Sequence, residues 1–126
     1  MSKRILVCDR KSLARIAYRV TLESAGYEVI GELNAGMDVV DRCRELKPDL
    51  VLMSAILAEP MGDGLMVIQR IMADNPEATV VTYAHPCIHS REECLRAGAK
   101  GFFLYPARPD EMLATVNSVM TGRASG

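Results

Sequence analysis

A small set of residues could do chemistry together if the fold brings them to one place. Asp9 and Arg10 follow the apolar run RILVC, Ser54 ends DLVLMS, Tyr83 ends ATVVTY, and Tyr105 with Pro106 follows GFFL. One carboxylate, one guanidinium and three hydroxyls make a hydrogen-bonding set, and Arg10 is placed to pair with Asp9. Ser54 could take a phosphoryl group from a serine kinase, but a hydroxyl cannot form an acyl phosphate. A second set, His85, Cys87, His89 and Cys94 in HPCIHSREEC, concentrates soft-metal ligand types. Zinc sites use well-separated ligand pairs that fix a tetrahedron, and this compact spacing matches none of the usual ones. The other readings are loop histidines with Cys94 packed beneath a helix, or a redox-sensing thiol at Cys87 with no resolving partner in view.

The elements that must position these residues read as five strand-helix units. RILVC leads into a segment where Leu13, Ile16, Ala17 and Val20 recur at helical spacing until Gly26 stops it. YEVIG precedes a helix carrying Val39, Val40, Cys43 and Leu46, closed by Pro48. After DLVLMS, a third helix sets Leu65, Ile68, Ile71 and Met72 on one face. Ser90 and Glu93 form an S-x-x-E capping box for a short fourth helix ending at Gly98, and Pro109, Asp110 and Glu111 open the fifth, with Leu113, Val116 and Met120 toward the core. Apolar strands alternating with amphipathic helices predict an α/β fold, a parallel sheet covered on both faces. In such an open sheet, ligands sit beyond the carboxyl ends of the strands, which is where the first set of residues falls. Met53, Met66, Met72, Met112 and Met120 read as core packing.

Composition narrows the function classes. A chain of 126 residues is one domain in size, here residues 1–122 with a flexible tail at 123–126. Its 15 basic and 16 acidic residues give no positive field for nucleic acid. The apolar runs are strand-sized and MSKRILVC lacks a secretory pattern, so a soluble cytoplasmic protein with no membrane contact is expected. Four cysteines without a C-x-x-C pair read as reduced thiols.

The stretches KRILVCDR, AGYEVIGELNAG, KPDLVLMS, PMGDG, AGAKGFFLYP and RPDEML, in this order and spacing, resemble the receiver domain of bacterial two-component response regulators across nearly the whole chain. The resemblance implies a flavodoxin-like, doubly wound five-stranded sheet of order 2-1-3-4-5 with five helices, acting in a phosphorelay. A typical receiver has two adjacent acids after strand one, a phosphoacceptor aspartate ending strand three, a Thr or Ser after strand four and a Lys-Pro after strand five. Carboxylates there hold Mg²⁺, which with the lysine offsets charge on the transferred phosphoryl group. Here Asp9 matches the first acid and Arg10 stands at the second. Ser54 occupies the acceptor position, Tyr83 (or Ala84) the hydroxyl position and Tyr105 the lysine position, while Pro106 is kept. The family pocket sums to about −2, whereas Asp9, Arg10, Ser54 and Tyr105 sum to about 0, so Mg²⁺ is expected to be lost. The loop departs as well: Pro60 lies six residues and Asp63-Gly64 nine and ten beyond Ser54, two more than the family spacing. Glu59 and Asp63 are either substitute acids or solvated loop residues.

Phe102 stands where receivers place an aromatic switch residue facing the surface of the fourth helix, fifth strand and fifth helix; otherwise it is a buried strand residue. The expectation is a pseudo-receiver without enzymatic activity or cofactor, binding signalling proteins such as a histidine kinase or an effector through that surface. Two alternatives remain: a response regulator phosphorylated at Ser54 or Asp63, or a small-ligand, metal or redox sensor built on His85, Cys87, His89 and Cys94.

Overall fold

The computed structural model describes residues 2–122, so the expected tail at 123–126 lies outside the described residues. Strands β1 (Arg4–Cys8), β2 (Glu28–Leu33), β3 (Leu50–Ser54), β4 (Val80–Ala84) and β5 (Gly101–Leu104) form one sheet. All neighbours pair in parallel, in the order β2-β1-β3-β4-β5. Helices α1 (Ser12–Ser24), α2 (Gly36–Leu46), α3 (Gly64–Asp74), α4 (Arg91–Ala97) and α5 (Pro109–Met120) make the crossovers.

Strand alternation divides the core into two layers. Leu6, Val51 and Met53 point toward α2 and α3, meeting Val39, Val67 and Ile68. Ile5, Val7, Leu52 and Val81 point the other way, meeting Tyr18 and Leu22 of α1 and Met112 and Val116 of α5. A smaller cluster, Ala55, Ala84, Cys94 and Phe102, lies under α4. The Ser90–Glu93 capping box forms, with both reciprocal hydrogen bonds present.

Two sequence expectations are corrected. The Leu13, Ile16 and Val20 stripe of α1 faces solvent, at 80%, 44% and 52% exposure. The helix instead buries its opposite face, where Tyr18 and Leu22 have the reach to fill the layer beneath. Arg15 and Arg19 flank that face and carry their guanidinium groups to Glu32 on β2. Met66 is likewise exposed, on the outer side of α3, whose inner side holds Val67, Ile68 and Ile71.

The loop after β3 is folded into the body. Leu57 is buried and donates its N–H to the Gly62 carbonyl, and Ala58 exchanges backbone hydrogen bonds with Asn34 and Gly36. The Pro60 carbonyl accepts the Met37 N–H, so the loop lies against the start of α2. Gly36 permits this approach, since a Cβ there would sit 1.7 Å from the Met61 carbonyl oxygen. Met61 itself adopts a positive φ of 64°. Gly36→Ala is therefore expected to cost about 1–3 kcal/mol by forced overpacking. Chemical denaturation would read this as a lower midpoint, and an unchanged midpoint would show that the loop is not held there.

Candidate functional site

The carboxyl ends of β1, β3, β4 and β5 surround a cleft of about 160 Å³ lined by Asp9, Arg10, Lys11, Ser54, Ile56, Tyr83, Ala84, His85, Ile88, Tyr105 and Pro106. The parallel register explains the convergence, because it sets Cys8 beside Met53 and Ser54 beside Tyr83. Every residue of the first sequence set thus reaches one place.

Asp9 is the acid of the cleft and is 3% exposed. Burying a charged carboxylate is costly unless donors satisfy it. The Tyr83 hydroxyl donates to Oδ2 at 2.6 Å, and the Lys11 backbone N–H donates to Oδ1 at 2.9 Å. Arg15 reaches across from α1 and donates to the Asp9 carbonyl oxygen at 2.6 Å. The expected pairing with Arg10 does not form among the described residues: Arg10 is exposed, and Asp9 takes its side-chain donors from Tyr83 and the Lys11 backbone.

Tyr83 can reach Asp9 because its ring is fixed on several sides. It stacks on Phe103 at 4.9 Å, meets Tyr18 edge-on at 5.4 Å, and lies 5.6 Å from the tilted ring of Tyr105. Burial, then the charge of Asp9 and its hydrogen bond, raises the Tyr83 phenol well above its ordinary value. Tyr18 is raised too, chiefly by burial. Tyr105 adds a ring to the wall of the cleft, and the Tyr105–Pro106 peptide bond is cis.

Lys11 is the residue that sequence reasoning missed. Its ammonium lies over the Tyr105 ring, 5.5 Å from the centroid, so a cation enters the cleft from the β1–α1 loop. The sequence signal was a third charged residue directly after Asp9-Arg10, with an aromatic after the fifth strand at Tyr105. Ser54 accepts the Ile56 N–H at 3.1 Å, which leaves its hydroxyl proton free to donate.

Glu59 and Asp63 stand outside the cleft. Asp63 caps α3 by accepting the Leu65 N–H, and Glu59 accepts the Gly62 N–H within its own loop. The four His and Cys residues do not converge: among the described residues no group of three potential ligands could hold a metal. His85 accepts the Cys87 N–H through Nδ1, His89 lies 3.5 Å from Glu93, and Cys94 is buried, its thiol pushed up to about 11 by burial. All four cysteines are free thiols. Phe102 is 6% exposed and packs with Ala84 and Cys94 beneath α4, while Phe103 points to the opposite layer.

Tyr83→Phe leaves Asp9 Oδ2 buried without that donor, so a loss of about 1.5–3 kcal/mol at neutral pH is expected. A phenol or thiol whose folded pKa is raised holds stability that is full below its unfolded value and lost as pH rises past it. Unfolding should therefore ease from about pH 9 upward as Cys8 and Cys43 contribute, and further beyond pH 10 as Tyr18 and Tyr83 do. Melting temperatures across pH 7–11 check this. The variant should start lower and fall less steeply above pH 10, and a wild-type slope in the variant would contradict the burial of this phenol.

Comparison with known proteins places this cleft in context. Residues 5–117 match the family model described as the response regulator receiver domain. The chain is 32% identical over 120 residues to the chemotaxis protein CheY of Thermotoga maritima, covering 94% of this chain and 98% of that protein. It is 33% identical over 123 residues to the virulence transcription regulator BvgA of Bordetella pertussis, spanning 97% of this chain and 58% of that protein's length. A chain in the CheX-CheY-BeF3-Mg+2 complex from Borrelia burgdorferi has the same fold, with a TM-score of 0.85 at 22% identity over 94% of this chain and 89% of that one. No helix among the described residues is long and apolar enough to cross a membrane. By sequence match across most of its length, supported by the β2-β1-β3-β4-β5 sheet, the chain belongs to the response regulator receiver domain family.

Proposed function

We propose that this receiver acts in the cytoplasm as a phosphorylation-independent protein-interaction module, a pseudo-receiver without catalytic activity of its own. One observation carries the reading: each carboxylate oxygen of the single acid of the cleft already accepts a hydrogen bond, from the Tyr83 hydroxyl and the Lys11 N–H. The acceptor position is Ser54, which offers no carboxylate for an acyl phosphate.

The residues present do not fit a magnesium ion. Mg²⁺ demands near-octahedral oxygen ligands, usually with one or two carboxylates. Here Asp9 would have to give up its buried donor, and Arg10 and Lys11 line the same cleft and repel a divalent cation. No phosphoryl-transfer step is assigned to the chain.

Signal output then depends on surfaces rather than on a modified acceptor. The face of α4, β5 and α5 is the proposed partner site, and exposed apolar side chains support it: Leu95 on α4, Leu104 on β5 and Ile88 in the preceding loop are 37%, 54% and 46% exposed. Phe102 lies beneath α4 in one cluster with Ala84, which also lines the cleft, and this placement between the two supports that face as the output surface. A kinase or effector protein is the proposed partner class; the Borrelia fold-mate, for its part, is found with CheX.

Intact-mass spectrometry after incubation with Mg²⁺ and acetyl phosphate tests the proposal. The mass should stay that of the unmodified chain, and melting temperature should not respond to Mg²⁺ with beryllofluoride. A phosphoryl adduct on Ser54, Asp63 or any other residue would sink the reading.

A further inference from the structure

Counting charge in the cleft as folded changes its character. Arg10 and Lys11 both line it against Asp9 alone, so two cations and one carboxylate leave about +1. The negative charge is also shielded, since the Tyr83 hydroxyl and the Lys11 N–H already take its two oxygens. Arg10 makes no ion pair among the described residues, so its guanidinium has donors to spare. Ser54 accepts the Ile56 N–H and donates no hydrogen bond among the described residues, so its hydroxyl proton is a further donor. His85, whose Nδ1 accepts a backbone N–H, carries its neutral-state proton on Nε2 and is a further donor. α1 begins beside these residues with no acidic side chain in its first turn and no side-chain cap, which adds to the positive potential. The remaining wall is apolar: Ile56, Ile88 and the Tyr105 ring.

We infer that the cleft is a metal-independent binding site for a small organic anion. A carboxylate or phosphomonoester head group would sit against Arg10, Lys11 and Ser54, with a compact apolar body against Tyr105, Ile56 and Ile88. The inference rests on the reading of the cleft as a non-phosphorylated site, and gives that site an occupant. The cavity of about 160 Å³ suits a single ring rather than a nucleotide. Lys11, held over Tyr105, would swing only a short way from the ring to the anion.

Phenyl phosphate, benzoate and inorganic phosphate, each titrated in the presence of EDTA, test the site by ¹H–¹⁵N chemical shifts. Saturable shifts at Ser54, Ile56, His85 and Tyr105 are expected with a Kd of about 1 mM or tighter for at least one of the two aromatic probes. Inorganic phosphate should bind weaker than phenyl phosphate, for want of an apolar body. Arg10→Gln and Lys11→Gln replace exposed side chains and should each weaken binding about 10-fold, and raising salt should weaken the wild type. The inference is overturned if neither aromatic probe saturates by about 10 mM, if both variants bind as the wild type does, or if the shifts map elsewhere. EDTA keeps this result separate from phosphorylation: an adduct with acetyl phosphate and Mg²⁺ would remove the pseudo-receiver reading, while the titration decides the anion site alone.

Discussion

The hydrogen bond from the Tyr83 hydroxyl to Asp9 is the contact on which the rest of the cleft depends. A carboxylate left 3% exposed must find donors, and the tyrosine supplies a strong one at 2.6 Å from a ring buried in the sheet. The ring holds that position because Phe103 stacks on it and Tyr18 meets it edge-on. Residues from three separate strand ends are thereby linked physically. With a tyrosine at 83 donating to Asp9, the carboxylate does not depend on a cation for a donor, and position 10 carries an exposed guanidinium on the wall of the cleft. With an aromatic at 105, an ammonium can enter from Lys11 and rest on its face.

The loop after β3 shows the same economy of contacts. The segment pairs with the start of α2, and the absence of a side chain at Gly36 admits the Met61 carbonyl. Glu59 and Asp63 are consumed by that local geometry, one within the loop and the other as the cap of α3. The two acids of the loop that follows Ser54 therefore shape the rim and stay out of the cleft.

Much of this was legible beforehand, for identifiable reasons. Strand runs such as RILVC and DLVLMS, the Ser90–Glu93 box and the turn glycines at 26 and 98 are local signals, and each formed as read. The convergence of Asp9, Ser54, Tyr83 and Tyr105 followed from parallel topology, which places every strand's carboxyl end on one side. The α1 face was misread because helical spacing identifies a stripe but not what it meets: Tyr18 and Leu22 outcompete Leu13, Ile16 and Val20 for the sheet, helped by arginines that reach past them to Glu32. The charge of the cleft was misjudged for a related reason. Lys11 was not among the residues expected in the pocket, and only the folded β1–α1 turn brings its ammonium over Tyr105. Long-range side-chain pairings such as Tyr83 with Asp9, 74 residues apart, have no local signature at all.

The central claim is that the Asp9 carboxylate is already satisfied and does not take a cation. The most direct measurement follows the amide of Lys11, which donates to Asp9 Oδ1, through a titration with Mg²⁺ by ¹H–¹⁵N correlation spectroscopy. The account predicts that this resonance and those of Ser54 and Ala55 stay in place to about 20 mM, since the ion finds neither a free carboxylate nor a negative cleft. A saturable shift of the Lys11 amide at lower concentration would mean that Asp9 releases its donors for a metal, and would contradict the account.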